Sequence, residues 1–579
     1  MTMFNKFYEE ELQNLRQLAV EFSRAHPVTA PMLSGPTMDP DAERLLQGTA
    51  FLTALLHQKI RNEFPKLINE LIEIIFPHYL RPIPSTSIVL FEPKPNVLET
   101  VTVKEGTLIA SNPIDDTSCQ FQTCFDVDVH PLRQKAVQYV QIGGKSIQIK
   151  LSIELTGIDL LRWRPKRLCF FLGGTHTQAM DIFMLLNNFL SRIVIKPTDG
   201  GEAITLPRDA LKPIGFDAQN SLLSFPVQSF SGYRLLQEYF ILPRKFTFME
   251  LTGWERWTNR GNGKSFEILF EFDRVPDLSL RITNDTFIIN AVPVINLFRH
   301  EMDPIIFDHK TEKLKLRPSL KHPEHYQVYD VESVTGYERG SIRKKEYVPL
   351  SLFKGTEKEK HIYQIIRSRS PVDNRPEVYL SFAYPHDMPE PKEETLSITL
   401  ICTNGNLPER LQIGDICKAT FNSPEMLSFR NILPPSFAVE PPSDQDAVWR
   451  LISHLSLNYL SLANKENLQE LLSFYISPED RDKARLAANM KRIEGIVNLR
   501  TEAYDRLFRG RIMRGQKIEM SVRHDHFAGI GDLYLFGCVM DRFFSAYSSV
   551  NTFTQFIMKE VQTGEMFQWP IRTGERTLS

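Results

Sequence analysis

Apolar positions at the start of the chain recur every three or four residues: Phe4, Phe7, Tyr8, Leu12, Leu15, Leu18, Ala19 and Phe22. That period predicts an amphipathic helix over about residues 3–25, closed by Pro27 and Pro31. Asp39 then offers an N-cap, with Pro40 at the first helical position. Leu45, Leu46, Thr49, Leu52, Leu55, Leu56 and Ile60 stripe a second helix. A third is predicted after Pro65, through Leu67, Leu71 and Ile75, stopping before Pro77. Faces this wide must be buried on each other, on a later domain, or on another chain.

The period changes at Tyr79-Leu80-Arg81-Pro82-Ile83-Pro84-Ser85, where two prolines in three residues favour an extended path. From there to about residue 430 the apolar residues come in short runs bounded by Pro, Gly, Asn or Asp, as antiparallel strands require. Ser87–Phe91, Val101–Val103, Lys145–Leu151, Leu168–Leu172, Phe266–Phe272, Thr286–Asn290 and Leu396–Cys402 are such runs. Helical spacing interrupts them at Gln178–Leu190 and Tyr233–Phe240. Asn431–Ser443, holding Pro434-Pro435 and Pro441-Pro442, reads as a stiff linker. Beyond it, helices are predicted over Asp446–Leu462, over Leu468–Tyr475 and from Pro478 to about Lys491. A strand pair follows, one strand at Arg511–Glu519 and an apolar run opening at Asp532–Phe536. A helix is predicted over Gly537–Ile557, and the last dozen residues read as a polar tail.

The pattern defines an α+β, multi-domain chain: a helical N-terminal region at 1–85, β-rich domains at 86–230 and 231–433, and a mixed helical and strand C-terminal domain at 434–579. No repeat of solenoid or propeller period is present.

Composition removes several classes. Of 579 residues, 42% are hydrophobic and 24% charged, so the chain can bury cores and is not wholesale disordered. The 68 basic against 70 acidic side chains argue against a generally basic nucleic-acid binder. Six cysteines are too few for a disulfide scaffold, and Cys119 and Cys124 lack a second close pair for a zinc knuckle. The N-terminus lacks a basic region followed by an apolar one, and no apolar run reaches about 18 residues. A cytoplasmic location without membrane insertion is expected.

The search for catalytic chemistry returns fragments. Gly263-Lys264-Ser265 matches the end of a phosphate-binding loop, but Thr258 stands where the pattern needs glycine, and a turn at Asn262-Gly263 fits better. His524-Asp525-His526 could share one face of a strand, yet a solvated turn is the favoured reading, as it is for His322 and His325 around Pro323-Glu324. Arg162-Trp163-Arg164-Pro165-Lys166-Arg167 interleaves cations with Trp, but without a basic domain around it a surface strand with snorkelling arginines is favoured. Arg343-Lys344-Lys345 is a second short basic run. Trp254 and Trp257 could stack sugars or anchor a core. Two classes remain: an assembly subunit, or a carbohydrate- or metal-binding β-rich protein or enzyme with a site built from distant residues.

Longer blocks decide between them. Phe7–Arg16, Asp39–Ala54, Leu71–Ser85, Ser231–Phe240, Ala291–Phe298, Cys402–Pro408 and Leu535–Gln555 together resemble the TssF (VasA/ImpG) family of type VI secretion baseplate subunits, in order along nearly the whole chain. The block Ala291–Phe298 departs from the family in lacking Cys-Thr before its proline. The resemblance implies a non-enzymatic structural subunit with no cofactor, no metal and no catalytic residue. It implies a wedge in which two copies join one TssG, and contacts to TssK, the sheath-initiating TssE, the spike hub VgrG and neighbouring wedges, at a cytoplasmic baseplate docked to the inner membrane. Within it, Phe4, Tyr8, Leu12 and Leu15, and separately Phe543, Phe544, Tyr547 and Phe553, are candidate intersubunit anchors, with intrachain core as the alternative for each. Because two copies would sit in different surroundings, Pro434–Pro442 is a candidate hinge.

Overall fold

A computed structural model describes residues 3–25, 39–75, 77–142, 146–223, 225, 231–273, 280–338, 344–350, 361–370, 375–383, 393–441, 464–477, 480–508, 511–548 and 552–574. The chain divides into two compact units, one of residues 1–77 with 444–449, the other of 78–443 with 450–579. Strand and helix content are mixed throughout the second unit.

The first unit holds helix α1 (Met3–Ala25) and helix α2 (Pro40–Ile75), which lie against each other. Asp39 caps α2 as expected, its carboxylate accepting from the Asp41 amide at 3.0 Å. Pro65 does not divide α2: one helix of 36 residues runs through it. Proline removes one in-helix hydrogen bond, a cost that the helix on either side absorbs.

In the second unit, a six-stranded sheet draws on distant parts of the chain, in the order 416–419, 108–114, 117–123, 291–295, 86–93, 427–431. A five-stranded sheet orders 204–207, 190–197, 265–272, 146–155, 132–142. Strand Ser265–Phe272 shows why: Phe266, Ile268, Phe270 and Phe272 are buried on one face, while Glu267 and Glu271 pair on the other with Lys150 and Arg192. A four-stranded sheet is built around Leu168–Leu172, whose unbroken apolar run is buried at every position. Helix α3 (His176–Asn188) begins with a capping box between Thr175 and Gln178 and buries Ile182, Phe183 and Leu186. Helix α4 (Ser231–Ile241) also falls where helical spacing placed it. An eight-stranded sheet of residues between 298 and 403 has its own core around Phe298, Tyr347, Leu380 and Leu396.

The C-terminal part contains helices α5 (Lys465–Ser473), α6 (Lys483–Glu494) and α7 (Ile530–Tyr547) and a five-stranded sheet. The predicted helix over Asp446–Leu462 lies outside the described residues. Two predictions need correction here. Asp532–Phe536 belongs to α7, and Phe553 and Phe556 stand on strand Thr552–Glu560, which pairs in parallel with Arg511–Val522. A polar tail is also too simple: Met566–Gln568 and Arg572–Thr573 both pair with that strand.

The predicted linker is strapped to the second unit. Ser436 donates its amide to the Thr86 carbonyl at 2.8 Å, and the Ser87 hydroxyl donates to the Leu433 carbonyl at 2.7 Å. The division between units falls beside the proline clusters, at 77/78 and 443/444.

Candidate assembly interface

On α1 and α2 the fully buried side chains include the small ones: Ala19 and Ser23 on the first, Ala50 and Ala54 on the second, each pair four residues apart. Small residues at that spacing let two helices approach closely. Several large apolar side chains are turned outward, although Ile72 on α2 is buried. Leu18 on α1 is 58% exposed, and Leu45, Leu52 and Leu56 on α2 are 73%, 62% and 61% exposed. Positions 45, 52 and 56 fall on one face of a 3.6-residue helix, so the leucines form a stripe rather than scattered points. An ion pair between Arg16 and Glu43 adds to the contact between the helices and holds the Glu43 carboxyl below its usual range.

Of the first four candidate anchors, Tyr8, Leu12 and Leu15 are half-buried on α1, and the Phe4 side chain lies outside the described ones. The more exposed leucines, Leu18 on α1 and those of α2, belong to the apolar patterns of their own helices, and periodicity alone does not rank them.

The other four candidates are core in this structure. Phe543, Phe544 and Tyr547 on α7 are buried, as is Phe553. Phe543 packs edge-on against Phe544 at 5.6 Å, and Phe544 lies 5.6 Å from Phe556. Phe553 covers Gly515, its register partner, where a Cβ would meet the ring at 2.4 Å. Helix α7 is buried on nearly every side, which leaves these rings no surface to offer a partner.

The fragments of chemistry do not converge on a reacting centre among the described residues. Gly263 sits where the loop before Ser265–Phe272 meets the turn at Asp199, whose carbonyl lies 2.9 Å from an added Cβ. Trp254 and Trp257 are buried with Trp163 and Phe266, so no indole face is open to a sugar. Arg260 donates at 2.7 and 2.6 Å to the Trp257 and Trp254 carbonyls, fixing this cluster from inside. The basic run at 162–167 lies in an irregular loop, not a strand, and its Arg167 is bound to Asp128 and Glu250. Lys344 and Lys345 pair with Glu346 and Glu338. His524 and His526 occupy a 3-10 turn and face apart, towards Glu560 at 3.0 Å and the Lys491 carbonyl at 2.9 Å. Cys119 and Cys124 are buried thiols, and burial pushes Cys119 up to about 12, which keeps it inert at neutral pH. One cluster does converge: His322, Glu324 and His325 bring a ligand atom each within 4.8 Å of one another.

Buried charge in the second unit serves the core. Lys245 and Glu238 pair at 2.5 Å with both side chains fully buried, and Arg234 joins them at 3.2 Å. Arg492 and His176 both reach Asp532, tying α6 and α3 to the start of α7. Burial raises the Asp532 carboxyl, but the His176 hydrogen bond and the Arg492 charge outweigh it and hold the group below its usual range.

An outward leucine stripe on α2 is apolar surface that a partner chain could cover. The comparisons agree. The family model "Type VI secretion system, TssF" matches residues 1–576, and the chain belongs to that family, a structural baseplate component and not an enzyme. A curated relative, type VI secretion system component TssF1 of Pseudomonas aeruginosa (strain PAO1), is 28% identical over 99% of this chain and 98% of its own. A chain in the solved TssK-TssF-TssG baseplate subcomplex is 27% identical, with a TM-score of 0.76 over 92% of this chain and 99% of that one. A chain of the type VI secretion baseplate complex is 26% identical, with a TM-score of 0.62 over the whole of both. No helix among the described residues is long and apolar enough to cross a membrane.

Proposed function

We propose that this chain is a wedge subunit of a type VI secretion baseplate, acting in the cytoplasm at a platform docked to the inner membrane. Two copies join one TssG, and the wedge contacts TssK, TssE, the VgrG spike hub and neighbouring wedges. The outward leucines, Leu18 on α1 and the stripe of Leu45, Leu52 and Leu56 on α2, carry this reading, because apolar area of that kind gains stability only when another surface covers it. Likeness to a chain of the TssK-TssF-TssG subcomplex supports the choice of TssG and TssK as the first partners to try.

The test is co-expression with TssG and TssK, followed by native mass measurement of the purified assembly. Two copies of this chain with one TssG are expected. Elution of this chain as a monomer, apart from soluble TssG, would overturn the reading.

A further inference from the structure

The turn at Pro323–His325 holds a constellation that the assembly role does not use. It is a single 3-10 turn with His322 at its N-cap. The His322 and His325 rings stack, with centroids 4.9 Å apart and planes within 6°. Glu324 stands between them, its Oε1 atom 3.5 Å from Nε2 of His325 and 3.8 Å from Nδ1 of His322.

His325 is fixed from behind. The residue is buried, its carbonyl accepts from Asn404 Nδ2 at 3.2 Å, and its Nδ1 lies 2.7 Å from the hydroxyl of buried Thr117. With Nδ1–H donating to that hydroxyl, the lone pair of Nε2 is left on the Glu324 side. Holding one imidazole nitrogen through an outer hydrogen bond so that the other can ligate is the usual support of a metal-binding histidine. His322 has 30% of its side chain exposed and Glu324 47%, so these two can adjust around the fixed ring.

We propose that His322, Glu324 and His325 form a three-ligand site for a divalent transition ion of the zinc type. Two imidazoles and one carboxylate suit such an ion, and tetrahedral bonds of about 2.0–2.1 Å place neighbouring ligand atoms roughly 3.3 Å apart. The two separations from Glu324 close by about 0.2 and 0.5 Å to reach that spacing, and the half-exposed His322 ring must swing out of its stack on His325 to bring its nitrogen, which lies within 4.8 Å of the others, to the same ion. Carboxylate charge is also at hand: the Glu324 side chain is not bound to a cationic Lys or Arg among the described residues, whereas nearby Asp115 is held by Arg410.

Cobalt(II) titration of the untagged full-length protein tests this, because tetrahedral cobalt absorbs visible light far more strongly, and at longer wavelength, than the hexahydrated ion. One equivalent is expected to give such bands, and one equivalent of zinc to bleach them. The surface variants H322A and E324Q, which leave the core untouched, are expected each to weaken cobalt binding by 10-fold or more. T117V keeps all three ligands, and loss of its outer hydrogen bond is expected to weaken binding about 10–100-fold. Absence of tetrahedral bands, or bands of equal strength in H322A and E324Q, would overturn the site. The readout does not depend on baseplate partners, so it stands or falls apart from the assembly reading.

Discussion

Ile83 and Val439 exchange both backbone hydrogen bonds, amide to carbonyl at 2.7 and 2.9 Å, across 356 positions of sequence. The two proline clusters of the chain therefore meet as an isolated antiparallel bridge. Proline suits the role, since it holds an extended path and offers no amide to compete for the pairing. Ser436 extends the strap: its hydroxyl accepts from the Thr86 amide at 2.9 Å. Ser436→Ala is expected to cost about 1–2 kcal/mol by leaving that amide without its partner. In hydrogen exchange the Val439 amide should be protected to the same degree as Val89 in the adjoining strand. Fast exchange at Val439 would mean that the segment opens, as a hinge there requires.

The aromatic end of α7 gives a sharper choice between core and interface. Phe543 is fully buried between neighbouring rings, so Phe543→Ala removes packing that nothing else fills. A loss of about 3–5 kcal/mol is expected, visible in denaturant unfolding of the isolated chain. An intersubunit anchor would behave otherwise, with stability unchanged and only partner affinity reduced.

What could be read from the sequence follows from how each element is solvated. Ser265–Phe272 was legible because one face is wet and the other dry, which writes the period of two into the residues. Strand Thr552–Glu560 was misread as helix because it is buried at most positions, and Phe553 and Phe556 at a spacing of three satisfy a helical period as well. At Pro65 local propensity predicts a break, and a helix of 36 residues tolerates the proline. The sheet that joins 86–93 to 291–295 and 427–431 leaves no local signal at all, because pairing partners are set by tertiary packing. The candidate interface is half legible in the sequence. Periodicity marked the apolar stripes of both helices, but not that the alanines would be buried and the leucines turned outward. The metal-type cluster needed the 3-10 turn and the Thr117 hydroxyl, more than 200 positions away, before its histidines could be read as convergent.

Charge placed on the outward stripe should separate folding from assembly. Leu52→Glu and Leu56→Glu alter side chains that are already mostly in water, so each is expected to change stability by about 0.5 kcal/mol or less. Burying a new carboxylate at a covered interface is costly, so co-purification with TssG should be lost in the double variant. Circular dichroism and the unfolding midpoint check the first expectation, and the mass of the purified complex checks the second. Intact association in the folded double variant would mean that the stripe is not the contact.

Acid sensitivity can be assigned in part to one buried histidine. His78 is buried 4.4 Å from the Phe225 ring, and burial, with a smaller push from the Arg81 charge, lowers its imidazole to about 3. An imidazole in the unfolded chain titrates near its ordinary value of about 6.5. Between those values the unfolded chain binds a proton that the folded chain refuses. Stability from this group is therefore intact above about pH 6.5 and falls as the pH drops, until the folded group also takes its proton near pH 3. His78→Phe keeps an aromatic ring against Phe225 and removes the titration. His130 and His361 are also lowered by burial, but they are present in both proteins and cancel in the comparison. Between pH 7 and pH 5 the unvaried protein is expected to lose about 1–2 kcal/mol more than His78→Phe, read from urea unfolding at each pH. Parallel losses in the two proteins would mean that His78 is protonated in the folded state.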